Sequence, residues 1–185
     1  LALILYVATI WTALTVLRPR PLGSHVPAAM RRLTIAALAF LALTILAGGF
    51  VAGLHAGLDY NTFPLMDGRV VPAEYARISP FLRNLTENIA AVQFNHRLLA
   101  TLTVVVALAT VAMGYRAPAS TVPRGPLVSL GILACAQYAL GVATLLLVVP
   151  VSLGTAHQVG ATLLLTAAVV LLHAIRRPSE AAGPG

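Results

Sequence analysis

Five long apolar segments, separated by gaps that hold most of the charge, constrain this chain more than any other feature. They cover 1–17, 33–54, 92–115, 126–149 and about 152–175. A helix that crosses a lipid hydrocarbon core of about 30 Å needs about 20 mostly apolar residues. The segments therefore predict five transmembrane helices and an all-α integral membrane protein.

The composition agrees with a lipid environment. Of 185 residues, 59% are hydrophobic and 9% are charged, whereas an ordinary soluble domain has roughly 45–50% apolar and about 25% charged residues. A soluble globular protein is therefore excluded. The single cysteine, Cys135, cannot form an intrachain disulfide or a cysteine zinc site. Its position within an apolar segment predicts a small packing residue.

The arginines predict one membrane topology and account for the net charge of +7 without a nucleic-acid partner. The gap 18–32 holds four arginines and no acid, the gap 116–125 holds two, and two more follow the last apolar segment. Cytoplasmic loops of membrane proteins are enriched in Arg and Lys, so these three regions are predicted to be cytoplasmic. The long connection 55–91 and the short one at Pro150 then lie outside.

The connections and the chain ends differ in character. Leu1 lies in mid-segment, with no Met or charged leader before it, so we expect further helices upstream. The connection 55–91 is too long and too rich in aromatic and turn residues for a simple linker, and we expect a structured outer cap. The tail 178–185 is short and rich in small residues, which predicts disorder.

Ionisable side chains inside membrane spans are costly and indicate function, and among the histidines two qualify well. His96 precedes Arg116 by 20 residues and His157 precedes Arg176 by 19. A rise of 1.5 Å per residue places the imidazoles at roughly 30 and 28 Å above the inner boundary. Both helices run from outside to inside, so the two rings can face each other across a bundle core.

The chemistry of this histidine pair fits three kinds of site. No carboxylate or thiolate lies near either residue in sequence, as a catalytic zinc or non-haem iron site would require. Two neutral nitrogen donors suit a haem iron with both axial positions filled. A second possibility is a pair of structural histidines with satisfied hydrogen bonds, and a third is a site for a different ion or molecule.

Polar residues flank the pair. Arg97 is a candidate to neutralise a haem propionate, or to extend its charge into interfacial water. Gln93 and Gln158 are candidates to orient an imidazole or a propionate, or to contact water. Gln137, near the middle of its segment, is expected to hydrogen-bond another helix.

Small residues form stripes on two of the predicted helices. One stripe is a GxxxGxxxG series that suits either helix packing or ligand contact: Gly49, Gly53 and Gly57. The other is headed by a histidine and is predicted to face protein or cofactor: His96, Ala100, Thr103, Ala107, Thr110 and Gly114.

The remaining histidines are weaker candidates for a site. His25 and His173 lie near the inner boundary and are predicted to be hydrated and structural. His55, at the outer end of the segment 33–54, is a minor candidate for contact with a cofactor edge.

Longer stretches carry a resemblance to a known family. In order they are GGFVAGLHAGLDYNTFPLMDG, RNLTENIAAVQFNHRLLA and TLLLVVPVSLGTAHQVGATLLLTA. They resemble the C-terminal half of haem A synthase of the mitochondrial and proteobacterial type. The resemblance implies two similar bundles of four helices each. In this chain, 33–177 would be the second, antiparallel and haem-binding bundle, and 1–17 the last helix of the first.

The resemblance also implies a cofactor and an activity. The second bundle of the family holds a haem b between two histidines that match His96 and His157, and we expect Arg97 near a propionate. The family oxidises the C8 methyl group of haem O to the formyl group of haem A, for cytochrome c oxidase. Because two imidazoles leave no open iron position, this haem would relay electrons from the substrate site to an outside acceptor.

The chain departs from the family's catalytic pattern. The first bundle of the family carries an ExxHR motif, and the matching stretch here reads Gln93-Phe94-Asn95-His96-Arg97. An amide cannot accept the proton that hydroxylation of a methyl group requires. No catalytic residue is therefore assigned, and the substrate haem O would bind in the other half.

The resemblance implies a bacterial inner (cytoplasmic) membrane protein and haem O synthase as an upstream partner, and the arginines predict a cytoplasmic C-terminus. The electron acceptor and a homo-oligomer stay open. The main rival hypothesis is a membrane cytochrome b with bis-histidine ligation that acts only in electron transfer. A transporter would show broken helices and polar residues at the midplane, of which only Gln137 is present.

Overall fold

The computed structural model describes residues 1–22 and 26–176, and within them the regular elements are helices. The six α-helices are α1 (Ala2–Leu17), α2 (Ala28–Gly53), α3 (Asn84–Glu87), α4 (Ile89–Arg116), α5 (Arg124–Leu146) and α6 (Val151–Ala174). Two 3₁₀ turns, Ala56–Leu58 and Phe81–Arg83, lie in the long connection before α4. The prediction of an all-α fold is confirmed. His25, Arg177 and the tail 178–185 lie outside the described residues.

Four of the described helices, α2, α4, α5 and α6, are long and apolar enough to cross a membrane. They have 23 to 28 residues each, which at 1.5 Å per residue exceeds the hydrocarbon thickness of about 30 Å. Helix α1 is also apolar but has 16 residues, fewer than the roughly 20 that a span needs. The membrane class of the fold is thus supported by four helices, and a fifth crossing stays a prediction.

Local chemistry sets where the long helices begin and end. A proline stands directly before each of α2, α5 and α6: Pro27, Pro123 and Pro150. Proline suits a helix start because it has no backbone N–H that would be left unpaired there. Helix α5 ends three residues before its apolar segment does, because Val148 and Val149 adopt positive φ values of 59° and 53°. Hydropathy alone could not show this reversal, since both residues are apolar.

The four long helices form a ring. Helix α2 packs against α4 and α6, and α5 packs against the same two helices, so α4 and α6 lie on opposite sides of the ring. Short connections join α4 to α5 and α5 to α6, as is usual for antiparallel neighbours. Helix α1 packs on the outside, against α6.

The closely packed core lies at the end of the ring where α4 ends and α5 begins. Its largest fully buried side chains include Met30, Leu127, Leu130, Leu171 and Ile175. Among the described residues, the core cluster includes no member of α2 beyond Leu41 and no member of α6 before Leu164. The opposite half of the ring, which carries the histidine pair, lacks this cluster.

Two predictions about single side chains are wrong. His173 is 2% exposed rather than hydrated, because α1 covers it and Trp11 packs edge-on against its ring at 5.0 Å. Arg176 also bonds it and donates to two carbonyl oxygens just beyond α1, at 2.8 and 2.9 Å. Cys135 is exposed on α5, so it is not a packing residue of the bundle.

Candidate cofactor site

The structure brings His96 and His157 together. His96 lies on α4 and His157 on α6, on opposite sides of the ring of helices. The centroids of the two imidazoles are 6.5 Å apart, and their planes are at 85° to each other. This agrees with the matched depth that their distances from Arg116 and Arg176 predict. The two imidazoles are the centre of the candidate site.

The separation fits one metal ion between the two rings. An imidazole nitrogen binds a transition metal at about 2 Å, and the ring centroid lies about 1.2 Å further away, so two rings on opposite sides of an ion would be about 6.4 Å apart. The observed separation is 6.5 Å. Each ring can rotate about its own metal–nitrogen axis, so the steep angle between the planes is compatible with this arrangement.

Each histidine has a partner for the ring nitrogen that would not bind metal. Nδ1 of His96 lies 3.1 Å from the carbonyl oxygen of Thr44 on α2. A carbonyl only accepts, so this contact places the proton on Nδ1 and leaves the lone pair of the unprotonated Nε2 to bind a metal. Nδ1 of His157 lies 3.1 Å from Nε2 of Gln137 on α5. The prediction that Gln137 bonds another helix is confirmed.

Glycines let both rings approach a neighbouring helix. A Cβ at Gly48 would lie 3.1 Å from Cε1 of His96, and a Cβ at Gly141 would lie 2.8 Å from Cε1 of His157. A Cβ at Gly160 would overlap Oε1 of Gln137. These cradles fit a site whose polar residues must reach the centre of the ring.

The sequence points to different glycines. A Cβ at Gly49 or Gly53 would meet nothing within 4 Å, and Gly57 packs against Val149. The glycines at the site were missed because each lies opposite a polar residue of another helix, a relation that spacing along one helix cannot reveal. The stripe headed by His96 does face protein, since Thr103, Ala107, Thr110 and Gly114 are all buried.

Arg97 and Gln93 hold the outer connection against α4. Arg97 donates to Oε1 of Gln93 at 2.7 Å, so the two side chains act together. The carbonyl oxygens that accept from them belong to Ala56, Asp59, Tyr60 and Thr62. Gln93 therefore bonds the loop, and the guanidinium of Arg97 lies where α4 meets the outer connection. The role of Arg97 beside a propionate stays a prediction.

The other two polar candidates lie apart from the pair. Gln158 is exposed on α6, and His55 is exposed at the start of the first 3₁₀ turn. The structure therefore does not bring either side chain into the centre of the ring.

Asparagine side chains order the outer connection over this end of the ring. Oδ1 of Asn88 accepts from the first backbone amides of α4, at 2.9 and 3.3 Å, and its Nδ2 donates to the carbonyl oxygen of Glu74 at 2.6 Å. Nδ2 of Asn61 donates to the carbonyl oxygen of Leu145 on α5 at 2.9 Å. The connection is thus tied to two of the long helices.

Charged groups of the connection also bond one another. Hydrogen bonds from Arg83 hold the pKa of Glu87 below its ordinary value. Burial raises the pKa of Tyr60, and the nearby carboxylates of Glu74, Asp67 and Asp59 raise it further. Glu74 and Glu87 thus form ion pairs within the connection, with Arg77 and Arg83.

The donor set contains the two imidazoles alone. Within residues 1–22 and 26–176, no group of three or more His, Cys, Asp or Glu side chains is placed to hold a metal ion. The remaining ligands of an ion between the rings would have to come from a bound group. A haem fits this requirement, because its macrocycle supplies the equatorial ligands and leaves two axial positions.

The fold and the site define an integral membrane protein of the helical-bundle class with an opposed pair of intramembrane histidines. The chain belongs to the COX15-CtaA family, described as cytochrome oxidase assembly protein, whose family model matches residues 1–169. The resemblance found in the sequence is thereby confirmed.

Individual relatives agree with the family. The chain is 51% identical to heme A synthase of Granulibacter bethesdensis, over 95% of this chain and 46% of the relative. It is 44% identical to heme A synthase of Rhodospirillum centenum, over 96% and 48%, and 39% identical to heme A synthase COX15 of Homo sapiens, over 95% and 43%. The chain thus spans about half the length of the curated relatives it matches. No solved structure gives a significant match.

Proposed function

We propose that this chain is the haem b-binding half of a haem A synthase, with His96 and His157 as the two axial ligands. The observation that carries the proposal is the 6.5 Å separation of the imidazoles across the ring. Membership of the COX15-CtaA family supports it. A haem held by His96 and His157 would supply one-electron redox chemistry, which suits electron relay.

The chain's own residues hold and orient the cofactor. The carbonyl of Thr44 fixes the tautomer of His96, and glycines on α2 and α5 allow the rings to approach. Arg97 stands near a propionate in this proposal, because its Nε is buried and has no hydrogen-bond partner among the described residues. That N–H is available to an anionic group at the outer end of the site.

The complete protein would oxidise the C8 methyl group of haem O to the formyl group of haem A. Both ends of the Gln93 amide are used in hydrogen bonds, to Arg97 and to the outer connection. This supports a role in electron relay, without catalysis, for this half of the protein. An amide so engaged offers no base for proton abstraction. The substrate site would then lie in the other half, with haem O synthase as the source of haem O.

The test uses a bacterial strain that lacks its own haem A synthase. The full-length protein that contains this chain should restore haem A, measured by extraction and chromatography. His96→Ala and His157→Ala should each lower haem A by about tenfold or more, whereas His55→Ala, a change at an exposed histidine, should leave it unchanged. Normal haem A in both site variants would refute the proposal. A wild-type protein that binds haem b and makes no haem A would favour a cytochrome b that acts only in electron transfer.

A further inference from the structure

The two histidines differ in what their second ring nitrogen contacts. Nδ1 of His96 faces a backbone carbonyl, which can only accept a hydrogen bond. Nδ1 of His157 faces the side-chain amide of Gln137, at 3.1 Å. An amide side chain has a donor end and an acceptor end. The tautomer of His96 is therefore fixed by the backbone, whereas that of His157 depends on which way one amide points.

The amide of Gln137 is only half satisfied. Its Nε2 lies near Nδ1 of His157 and also donates to the carbonyl oxygen of the same residue at 2.8 Å. Its Oε1 is buried and, among the described residues, has no hydrogen-bond partner. A buried acceptor without a partner is costly. Gly160 leaves the space for this oxygen, since a Cβ there would overlap it.

If His157 bound a metal, the amide of Gln137 would have to present an acceptor to Nδ1 in place of its donor. An imidazole that binds through Nε2 carries its proton on Nδ1 and must donate that proton to an acceptor. Rotation of the Gln137 amide by a half-turn exchanges its oxygen and nitrogen, which occupy nearly the same space. Oε1 would then accept from Nδ1 without movement of a helix, and the hydrogen bond from Nε2 to the carbonyl oxygen of His157 would be given up in exchange.

We propose that Gln137 is the positioning residue of His157, and that its amide turns its oxygen to Nδ1 when His157 is an axial ligand. This rests on the proposed function, since it requires an iron between the two rings. His96 is then the fixed ligand and His157 the adjustable one. A stronger acceptor at position 137 makes the imidazole more basic, which stabilises ferric iron and lowers the reduction potential.

The test measures the reduction potential and the ferric electron paramagnetic resonance spectrum of the full-length, haem-loaded protein. Gln137→Glu keeps the shape and leaves only acceptors, so the potential should shift downward. Gln137→Met keeps the length without a strong acceptor, so the potential should shift upward and the low-spin signal should change. Gln158→Glu is the matched control, because it adds the same charge beside His157 on the exposed face of α6. Its shift should be smaller than that of Gln137→Glu.

A second pair of variants covers the case in which changes at Gln137 prevent folding. Gly160→Ala displaces the intact amide and should shift the potential upward, as Gln137→Met does. Gly154→Ala, on the same helix, has only an ordinary contact at 3.8 Å and should leave the potential unchanged. The inference would be overturned if Gln137→Glu and Gln137→Met shifted the reduction potential in the same direction. It would also be overturned if Gly160→Ala had the reduction potential of wild type.

The same series separates this inference from the proposed function. His157→Ala should lose the wild-type low-spin spectrum. If it keeps that spectrum, the axial role of His157 is wrong and both proposals fail. If it loses the spectrum while the Gln137 and Gly160 variants match wild type, only the role of Gln137 fails.

Discussion

At the scale of single residues, each imidazole of the site rests on a glycine of an adjoining helix. Gly48 of α2 lies under His96, and Gly141 of α5 lies under His157. Because each ring also bonds the same neighbouring helix through Nδ1, its position is fixed by one contact on its edge and one hydrogen bond. The site therefore depends on these two glycines, which leave room for the imidazoles, as well as on its polar side chains.

Gly48→Ala should therefore weaken haem binding. The added Cβ would lie 3.1 Å from Cε1 of His96, so the imidazole would have to shift by a few tenths of an ångström. Mild overpacking of this kind is at the lower end of the usual range, about 1 kcal/mol, or roughly fivefold in an equilibrium constant. The haem-to-protein ratio of the purified full-length protein measures the effect. Gly49→Ala is the neighbouring control, since its Cβ meets nothing within 4 Å. An equal loss of haem in the two variants would contradict a role for the contact between Gly48 and the imidazole of His96.

The residues found from the sequence are those whose chemistry is costly in a membrane. His96, His157 and Gln137 stand out because polar groups inside apolar segments need a partner, and the structure gives each of them one. Gly48 could not be found in this way, since a glycine carries no signal of what lies opposite. His173 was misjudged because its burial depends on α1, which is remote in sequence.

At the scale of elements, one side chain just outside α4 sets where this helix starts. Asn88 caps α4 through its oxygen, and its nitrogen holds the outer connection at Glu74. One residue therefore fixes both the first turn of the helix that carries His96 and the loop above it. The helix begins three residues before the apolar segment 92–115 does, directly after this cap.

Asn88→Ala should destabilise the protein by about 1 kcal/mol, the usual value of a lost N-cap, and by more if the carbonyl of Glu74 stays unpaired. Faster hydrogen exchange at the amides of Ala90 and Ala91 would locate the effect. Asn88→Asp is the control variant, because it keeps the cap and loses only the donor. If hydrogen exchange at these two amides were the same in Asn88→Ala as in wild type, the capping role would be contradicted.

At the scale of the whole molecule, the packed core and the histidine pair occupy opposite ends of the ring. The core residues lie beside the arginine-containing connection of α4 and α5, and beside Arg176. The all-α class and the four long helices follow from hydropathy, whereas the fifth crossing that hydropathy also predicts is not among the long helices. Their arrangement in a ring does not, because it depends on which faces interlock, as with Gly114 of α4 against Leu127 of α5.

We expect the core end of the ring to face the cytoplasm and the outer connection to face the opposite side, because of the positions of the arginines. In a Cys135→Ser background, Val70→Cys, at a position that is 72% exposed, should react with an impermeant maleimide on intact spheroplasts. Ala119→Cys, in the exposed connection before α5, should react only after permeabilisation. The reverse pattern would invert the topology.

The central claim is that His96 and His157 are the axial ligands of one haem. The most direct measurement is the low-temperature electron paramagnetic resonance spectrum of the ferric full-length protein. Wild type and His55→Ala should show a low-spin signal of a haem with two imidazole ligands, and His96→Ala and His157→Ala should each lose it. A low-spin signal that is unchanged in either of these two variants would contradict the claim.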